Sequence, residues 1–223
     1  MGKNGAGKST LLKILAGVNK PTRGKVSAPN DAIIAYLPQH LLTEDNATVF
    51  EEASKAFAKI LDMKKQMDEL NVQLETRTDY ESEEYSKIIE QVSELSEKYY
   101  SIEEINFDAE VEKTLMGLGF LRSEFTRTTK EHSGGWRIRI ELAKILLQKP
   151  DLILLDEPTN HMDIESIQWL EEFLINNAKA VIVISHDKTF VDNLTNRTIE
   201  VTMGRIYDYK TNYTHYLQLR RER

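Results

Sequence analysis

The chain has 223 residues, 40% of them hydrophobic and 29% charged, with a formal net charge of −7. That length suits one to two domains with ample material for a core. The absence of cysteine excludes a disulfide scaffold and a thiolate metal site, no apolar run approaches the ~18–20 residues of a membrane-spanning helix, and no signal-peptide pattern is present, which together fit a cytoplasmic setting. The charge is uneven: Glu51–Glu112 carries 18 acidic and 7 basic residues, and the remainder 18 acidic and 22 basic. So acidic a middle argues against that segment clamping a nucleic-acid backbone by itself and reads as a solvated helical surface.

The chain begins in a glycine-rich loop. Gly2–Thr10 reads GKNGAGKST, which fits the pattern of Gly, four residues, Gly-Lys-Ser. Ser9–Ala16 is predicted helical with Gly17 as its stop, and Ala32–Leu37, before Pro38, as a short strand. From Ala47 to about Ile105 there is no Gly or Pro. Apolar residues fall at Ala56, Ile60, Met63, Met67, Leu70 and Leu74, and again at Tyr85, Ile88, Val92, Leu95, Tyr99 and Ile102. Both are alternating three-and-four seams of the coiled-coil kind, and the polar stretch Glu75–Glu84 between them places Thr78 and Glu81 for a capping box. The expectation is an antiparallel helical hairpin; a single long amphipathic helix is the alternative. Further on, the pattern predicts a helix over Val111–Leu121 interrupted by Gly117 and Gly119, a helix over Gly135–Gln148 ended by Lys149-Pro150, and a strand at Leu152–Leu155. A helix at Ile164–Asn176, a strand at Val181–Ile184, a helix near Lys188–Leu194 and two strands, Thr198–Val201 and Arg205–Tyr207, around Met203-Gly204 complete the chain. Strands alternating with helices imply an α/β fold with a mostly parallel sheet.

The chemistry sits at the ends of these elements. In the loop, Gly2, Gly5 and Gly7 let backbone N–H groups approach a phosphate closely, and the following helix aims its positive end at the anion. Lys8 would reach the β- and γ-phosphates and the Ser9 hydroxyl would ligate Mg²⁺. Leu152–Glu157 reads LILLDE, four apolar residues and two acids. Asp156 at the end of a buried strand can hold Mg²⁺ through water, and Glu157 then stands where an attacking water needs a general base or an orienting group. His186 follows the next apolar strand and falls on the same carboxyl edge of the sheet, where ligands bind in open α/β folds. Ser133-Gly134-Gly135-Trp136 opens a helix and could be a plain cap or a second phosphate-binding helix terminus. Gln39, just after a strand and Pro38, could reach metal or water.

In this order the pieces resemble an ATP-binding cassette (ABC) ATPase over nearly the whole chain, which implies a P-loop NTPase fold with a helical subdomain and an inserted helical hairpin. Gly2–Ser9, with Asn4, Gly5, Ala6, Gly7, Lys8 and the adjacent Thr10 binding phosphate, looks like the Walker A motif. Gln39 looks like the Q-loop, Ser133–Trp136 the signature, Leu152–Glu157 the Walker B motif, Pro158–Asp163 the D-loop and His186 the switch histidine. The resemblance implies ATP and Mg²⁺ as ligands, with Ser9, Gln39 and Asp156 on the metal and Glu157 and His186 catalytic. It also implies that Ser133, Gly134 and Gly135 serve an ATP held by a second, opposing cassette.

Finer details resemble the ABC-F branch. Glu157–Asp163 reads EPTNHMD, Trp136 stands in place of the usual Gln that ends the signature and is followed by Arg137, and the hairpin lengthens the stretch between Gln39 and Ser133 as an arm would. Asn212-Tyr213, Tyr216-Leu217 and Arg220 are similar to the start of an inter-cassette linker. His132 departs from the usual Leu or Phe before the signature serine.

The expected organisation is an ATPase domain over 1–208, with the arm-like hairpin at about 47–105 and the signature region at about 106–150, then the start of a linker at 209–223. The expected role is that of the first cassette of a soluble ATPase acting on the ribosome, with tRNA and rRNA as partners and no integral membrane segment. The alternatives are the ATP-binding subunit of a membrane transporter and a structural ATPase of DNA maintenance, which would need longer coiled coils. Only Met1 precedes the phosphate loop, so the sequence is expected to be a fragment, poorly active by itself.

Overall fold

The structure, a computed structural model, describes residues 5–37, 46–100, 106–160 and 162–222. Gly2, Asn4, Gln39 and His161 lie outside the described residues. The central sheet is parallel, in the order β1 (Ile34–Leu37), β2 (Leu152–Asp156), β3 (Val181–Ile184). Ile34 is opposite Leu152, and Ile153 opposite Val181. β2 is the middle strand and is buried from Ile153 to Asp156, which is why it reads as an unbroken apolar run rather than an alternation. Helix α1 (Lys8–Leu15) packs against it.

Between β1 and β2 the chain makes the helical half of the molecule. Helix α2 (Val49–Ser54) starts with a capping box: the Thr48 hydroxyl accepts from the Glu51 N–H at 3.2 Å, and the Glu51 carboxylate accepts from the Thr48 N–H at 2.9 Å. After one 3₁₀ turn (Lys55–Phe57) come α3 (Ala58–Thr76) and α4 (Glu83–Tyr100). The two pair antiparallel and are not one long helix. The Ser96 hydroxyl donates to the Met67 sulfur at 3.1 Å, and near the bend Arg77 holds both Asp79 and Glu84. Met67 and Ile88 are the buried residues of this seam, as their spacing predicted. The expected capping box at Thr78 and Glu81 is a correction. Ser82 caps α4 instead, accepting from the Tyr85 N–H at 3.0 Å while its hydroxyl donates to Asp79. A capping side chain must lie directly before the first turn, and α4 begins four residues later than that box required.

At the neck of the hairpin the Phe57 and Phe107 rings meet, with centroids 4.7 Å apart. Backbone bonds stitch the segment below it to the stretch before the signature: Val49 N–H to Arg127 O at 2.9 Å, Phe50 N–H to Phe125 O at 3.1 Å, and Thr129 N–H to Ala47 O at 2.9 Å. The buried Glu52 adds ion pairs to Lys55 and, across to α6 (Gly134–Leu147), to Lys144 at 2.7 Å.

Helix α5 (Phe107–Gly117) starts four residues earlier than predicted, capped by Asn106, which accepts from the Ala109 N–H at 3.1 Å. It runs through to Gly117, because that glycine is helical and exists for packing: the indole of Trp169 lies where its Cβ would be. Gly119, with φ +93°, is the true break. α6 ends at Leu147 with Gln148 as its C-cap, and Lys149 then adopts φ +47° before Pro150. Helix α7 (Ile164–Asn177) is capped by Asp163 and α8 (Lys188–Leu194) by Asp187. β4 (Thr198–Thr202) and β5 (Arg205–Tyr209) form a separate antiparallel hairpin. Its two turn residues, Met203 and Gly204, both have positive φ, the signature of a type I′ turn. Helix α9 (Tyr213–Arg221) folds back on α8; its Tyr216 is buried against Tyr209, and Arg220 pairs with the buried Glu200 at 2.9 Å. The core lies between α2, α5, α6, α7 and the sheet, around Leu37, Val49, Leu115, Leu118, Ile140, Leu142, Ile153, Leu155 and Leu170.

Candidate functional site

The parallel register brings the carboxyl ends of the strands together. Asp156, the last residue of β2, is opposite Ile184, the last of β3, so the residues that follow each strand emerge side by side. Glu157 takes φ +53°, a left-handed conformation uncommon for a non-glycine residue and typical of functional sites. Its N–H still reaches Ile184 O at 2.8 Å, while its buried carboxylate accepts from the His186 N–H at 3.1 Å. The His186 Nε2 is 3.4 Å from the other carboxylate oxygen, and the imidazole itself is exposed. Next to them, Thr159 and Ser185 share a hydroxyl contact of 3.3 Å, and Ser185 accepts from the Asp187 N–H at 3.0 Å. The two expected catalytic residues are thus in contact.

Asp156 is buried, 4% exposed. Near it on β1 is Tyr36, which sequence reasoning missed; it is opposite Leu154 and so on the same face of the sheet as Asp156. Burial, and then the charge of Asp156, push its phenol above the ordinary range, and its hydroxyl has no hydrogen-bond partner among the described residues. An aromatic in a short apolar strand gave no signal for this.

In the loop, Gly5 and Gly7 have φ +79° and +92°. Among the described residues other than their chain neighbours, no atom lies within 4 Å of a Cβ built on either, so on that side the backbone is open to approach. Leu11 N–H closes the first turn on Gly7 O at 2.9 Å, so the ladder of intrahelical bonds begins there and the N–H groups ahead of it point out of the helix end. There is no acidic residue in that turn to compete with an anion. Ala6 lies between the two glycines, half-buried. The loop's own side chains and backbone therefore fit a polyphosphate. The hard oxygen donors Ser9 and Asp156 suit Mg²⁺, which takes few protein ligands and keeps its waters.

Ser133 and Gly134 face outward at the start of α6. Ser133 has the extended backbone of an N-cap, but its side chain makes no capping bond, a correction to the plain capping expectation. Its hydroxyl and the glycine N–H groups are presented to the surface. Behind them, Trp136 packs edge-on to Phe120, and His132 does the same at 5.7 Å, so the unusual histidine fills an aromatic position. Gly135, half-buried, completes the turn.

The family profile described as "ABC transporter" matches residues 1–160. The chain belongs to the ATP-binding cassette family. Among curated proteins, this cassette is 35% identical over 219 residues to "ABC transporter F family member 2" of Arabidopsis thaliana, covering 97% of the chain and 32% of that protein. It is 37% identical over 224 residues to "Energy-dependent translational throttle protein EttA" of Mycobacterium tuberculosis (strain ATCC 25618 / H37Rv), covering 100% and 38%. The cassette thus spans about a third of the length of these relatives. Among solved structures it superimposes on "RNase-L Inhibitor" with a TM-score of 0.63 at 25% identity, covering 98% of this chain and 35% of that one. It also matches an "ATP binding subunit of ABC transporter" with a TM-score of 0.64 at 19% identity, covering 100% and 79%, a likeness of fold alone. The ABC-F resemblance and the P-loop NTPase, cassette-type fold read from the sequence therefore stand. Among the described residues no helix is long and apolar enough to cross a membrane.

Proposed function

We propose that this cassette binds and hydrolyses ATP as one half of an ABC-F-type protein acting in translation on the ribosome. The observation that carries the hydrolytic part is the Glu157–His186 contact at the carboxyl end of the sheet. Gly5–Thr10 cradles the phosphates through backbone N–H groups, with Lys8 as the point charge; Gly2 and Asn4 belong to the same loop by sequence. Ser9 and Asp156 would hold Mg²⁺, with Gln39 assigned to the same ion by sequence alone. When bound, that ion neutralises charge developing on the transferred phosphoryl group. Glu157 is the general base or orienting group for water, and its carboxylate lies beside His186, two residues beyond the end of β3. His186 fixes that carboxylate by its backbone N–H. Ser133 and Gly134, exposed at the surface, and Gly135 behind them serve the ATP of an opposing cassette. In this reading 1–208 is the ATPase domain, 47–105 its arm and 209–223 the start of a linker.

Translation enters from the relatives. Proteins named as translational throttles match the cassette along its full length, and the arm between β1 and β2 is a hairpin that the catalytic edge does not use. In the intact protein, Glu157→Gln should keep nucleotide binding while lowering turnover by roughly 10²-fold or more, the scale of general-base loss. The same variant should co-sediment with ribosomes in ATP. Full turnover in Glu157→Gln would remove the catalytic assignment; fractionation with a membrane permease would replace the ribosomal reading with a transport one.

A further inference from the structure

Helix α6 carries a charge where its neighbours are apolar. Arg139 sits between Ile138 and Ile140 and is only 4% exposed. Its Nη1 donates to the Leu118 carbonyl at 2.8 Å, to Asp163 Oδ2 at 3.1 Å and to the Ser166 hydroxyl at 3.3 Å. Its guanidinium carbon lies 4.3 Å from the centre of the Trp136 ring. Gly119 makes room for this arrangement: a Cβ there would stand 2.7 Å from Nη1. One side chain thus touches three elements. Trp136 follows the signature glycines directly, Leu118 ends α5, and Asp163 closes the loop 158–163 and caps α7.

An apolar side chain of similar length could fill this volume without burying a cation, so stability alone gives no reason for an arginine. What arginine adds is geometry, with a planar face for the indole and donors of fixed direction for the two loop ends. We propose that Arg139 is a positioning residue for the nucleotide site, holding the signature turn Ser133–Gly135 and the loop 158–163 at one fixed separation so that both meet an opposing cassette together. This rests on the proposed reading that those two segments face such a cassette. Arg139 itself touches no nucleotide.

The test uses the intact protein. Arg139→Met, Arg139→Lys and Asp163→Asn are compared for turnover, for affinity towards a fluorescent ATP analogue and for melting temperature. Asp163→Asn keeps an N-cap and so an intact α7. Turnover should fall roughly ten- to a hundredfold in all three, the loss expected from misplacing a reacting group by about 1 Å. Affinity should stay within about twofold, because Gly5–Thr10 is untouched, and Asp163→Asn should add little to Arg139→Met, as for two residues of one network. Turnover that is unchanged, or that falls only in step with melting temperature, overturns the proposal; if Arg139→Met does not fold, Asp163→Asn alone decides by the same criteria. Glu157→Gln is run alongside. Its failure to lower turnover removes the general-base reading, whereas the Arg139 inference falls only on the outcomes just named.

Discussion

Replacing Gly117 by alanine sets two physical effects against each other, and the structure says which wins. Helix propensity alone makes alanine better than glycine by up to ~1 kcal/mol. Against that, a Cβ at position 117 would lie 2.0 Å from Trp169 Cε2, 2.3 Å from Nε1 and 2.4 Å from Cδ2. These atoms belong to a rigid ring rather than to the tip of a flexible chain, and the ring is stacked on Phe173 with centroids 5.1 Å apart. To reach ordinary contact the indole must withdraw by more than 1 Å, which pulls α7 from α5 or leaves a void. Overpacking of this kind costs about 1–3 kcal/mol, and displacing a large aromatic outright approaches ~3–5 kcal/mol. The net expectation is a destabilisation of about 2 kcal/mol, or a melting temperature lower by roughly 4–8 °C for a domain of this size. Thermal unfolding followed by circular dichroism measures it. Adding Trp169→Leu should recover part of the loss, since it removes the ring that the methyl strikes. A melting temperature equal to or above that of the parent protein would refute the reasoning, because helix propensity would then be the larger effect.

Three other outcomes are expected. Met67→Asp puts a carboxylate into the hairpin seam and should cost at least ~2 kcal/mol locally, the low end for truncating a buried Met, so limited proteolysis should cut within 58–100 while the rest survives. Burial raises the Glu52 carboxyl, but hydrogen bonds from Lys144 and Lys55 outweigh it and hold the group below its ordinary value of 4.5. Its folded pKa being the lower one, its contribution is complete above pH 4.5 and is lost as pH falls through the folded value; Glu52→Gln should cost about 3 kcal/mol at neutral pH and flatten the acid limb of a stability-versus-pH curve. Burial and the neighbouring Glu200 push the Tyr216 phenol up to about 12, so it remains protonated at neutral pH. Tyr216→Ala should release α9 to tryptic cleavage at Arg220 and Arg221, whereas Tyr216→Phe, losing one hydrogen bond worth ~1 kcal/mol, should not.

What could be read from the sequence was what has a period or a motif. The hairpin was legible because Met67 and Ile88 fall on seams spaced by the α-helix itself, and β2 because a strand buried on both faces must be apolar throughout. Glu157 and His186 were legible because two parallel strands of like length end at the same edge. Gln39, Gly2 and Asn4 fall outside the described residues and remain readings of sequence. What was not legible depends on partners distant in the chain. Gly117 looks like a helix breaker until Trp169, 52 positions on, is seen to occupy its side. Arg139 looks like an ordinary surface charge until Leu118 and Asp163 surround it. Thr78 and Ser82 are equally good caps in a polar stretch, and the pairing of Arg77 with Glu84, not propensity, decides where α4 starts. The Thr48–Glu51 box has the sequence spacing of a capping box but opens a helix of only six residues, too short for a periodic apolar pattern to mark it.

The neck of the hairpin has a consequence for modularity. The insert leaves and re-enters the cassette through a single aromatic gate, Phe57 against Phe107, and below it the backbone is already stitched to 125–129. Among the described residues beyond the gate, Ile60, near the start of α3, is the one packed against the principal core. The hairpin's length is therefore a free variable: whole heptads could be added or removed, or the arm exchanged for that of a relative, without re-engineering the ATPase that carries it. A fold built this way can change the insert while keeping the cassette that carries it.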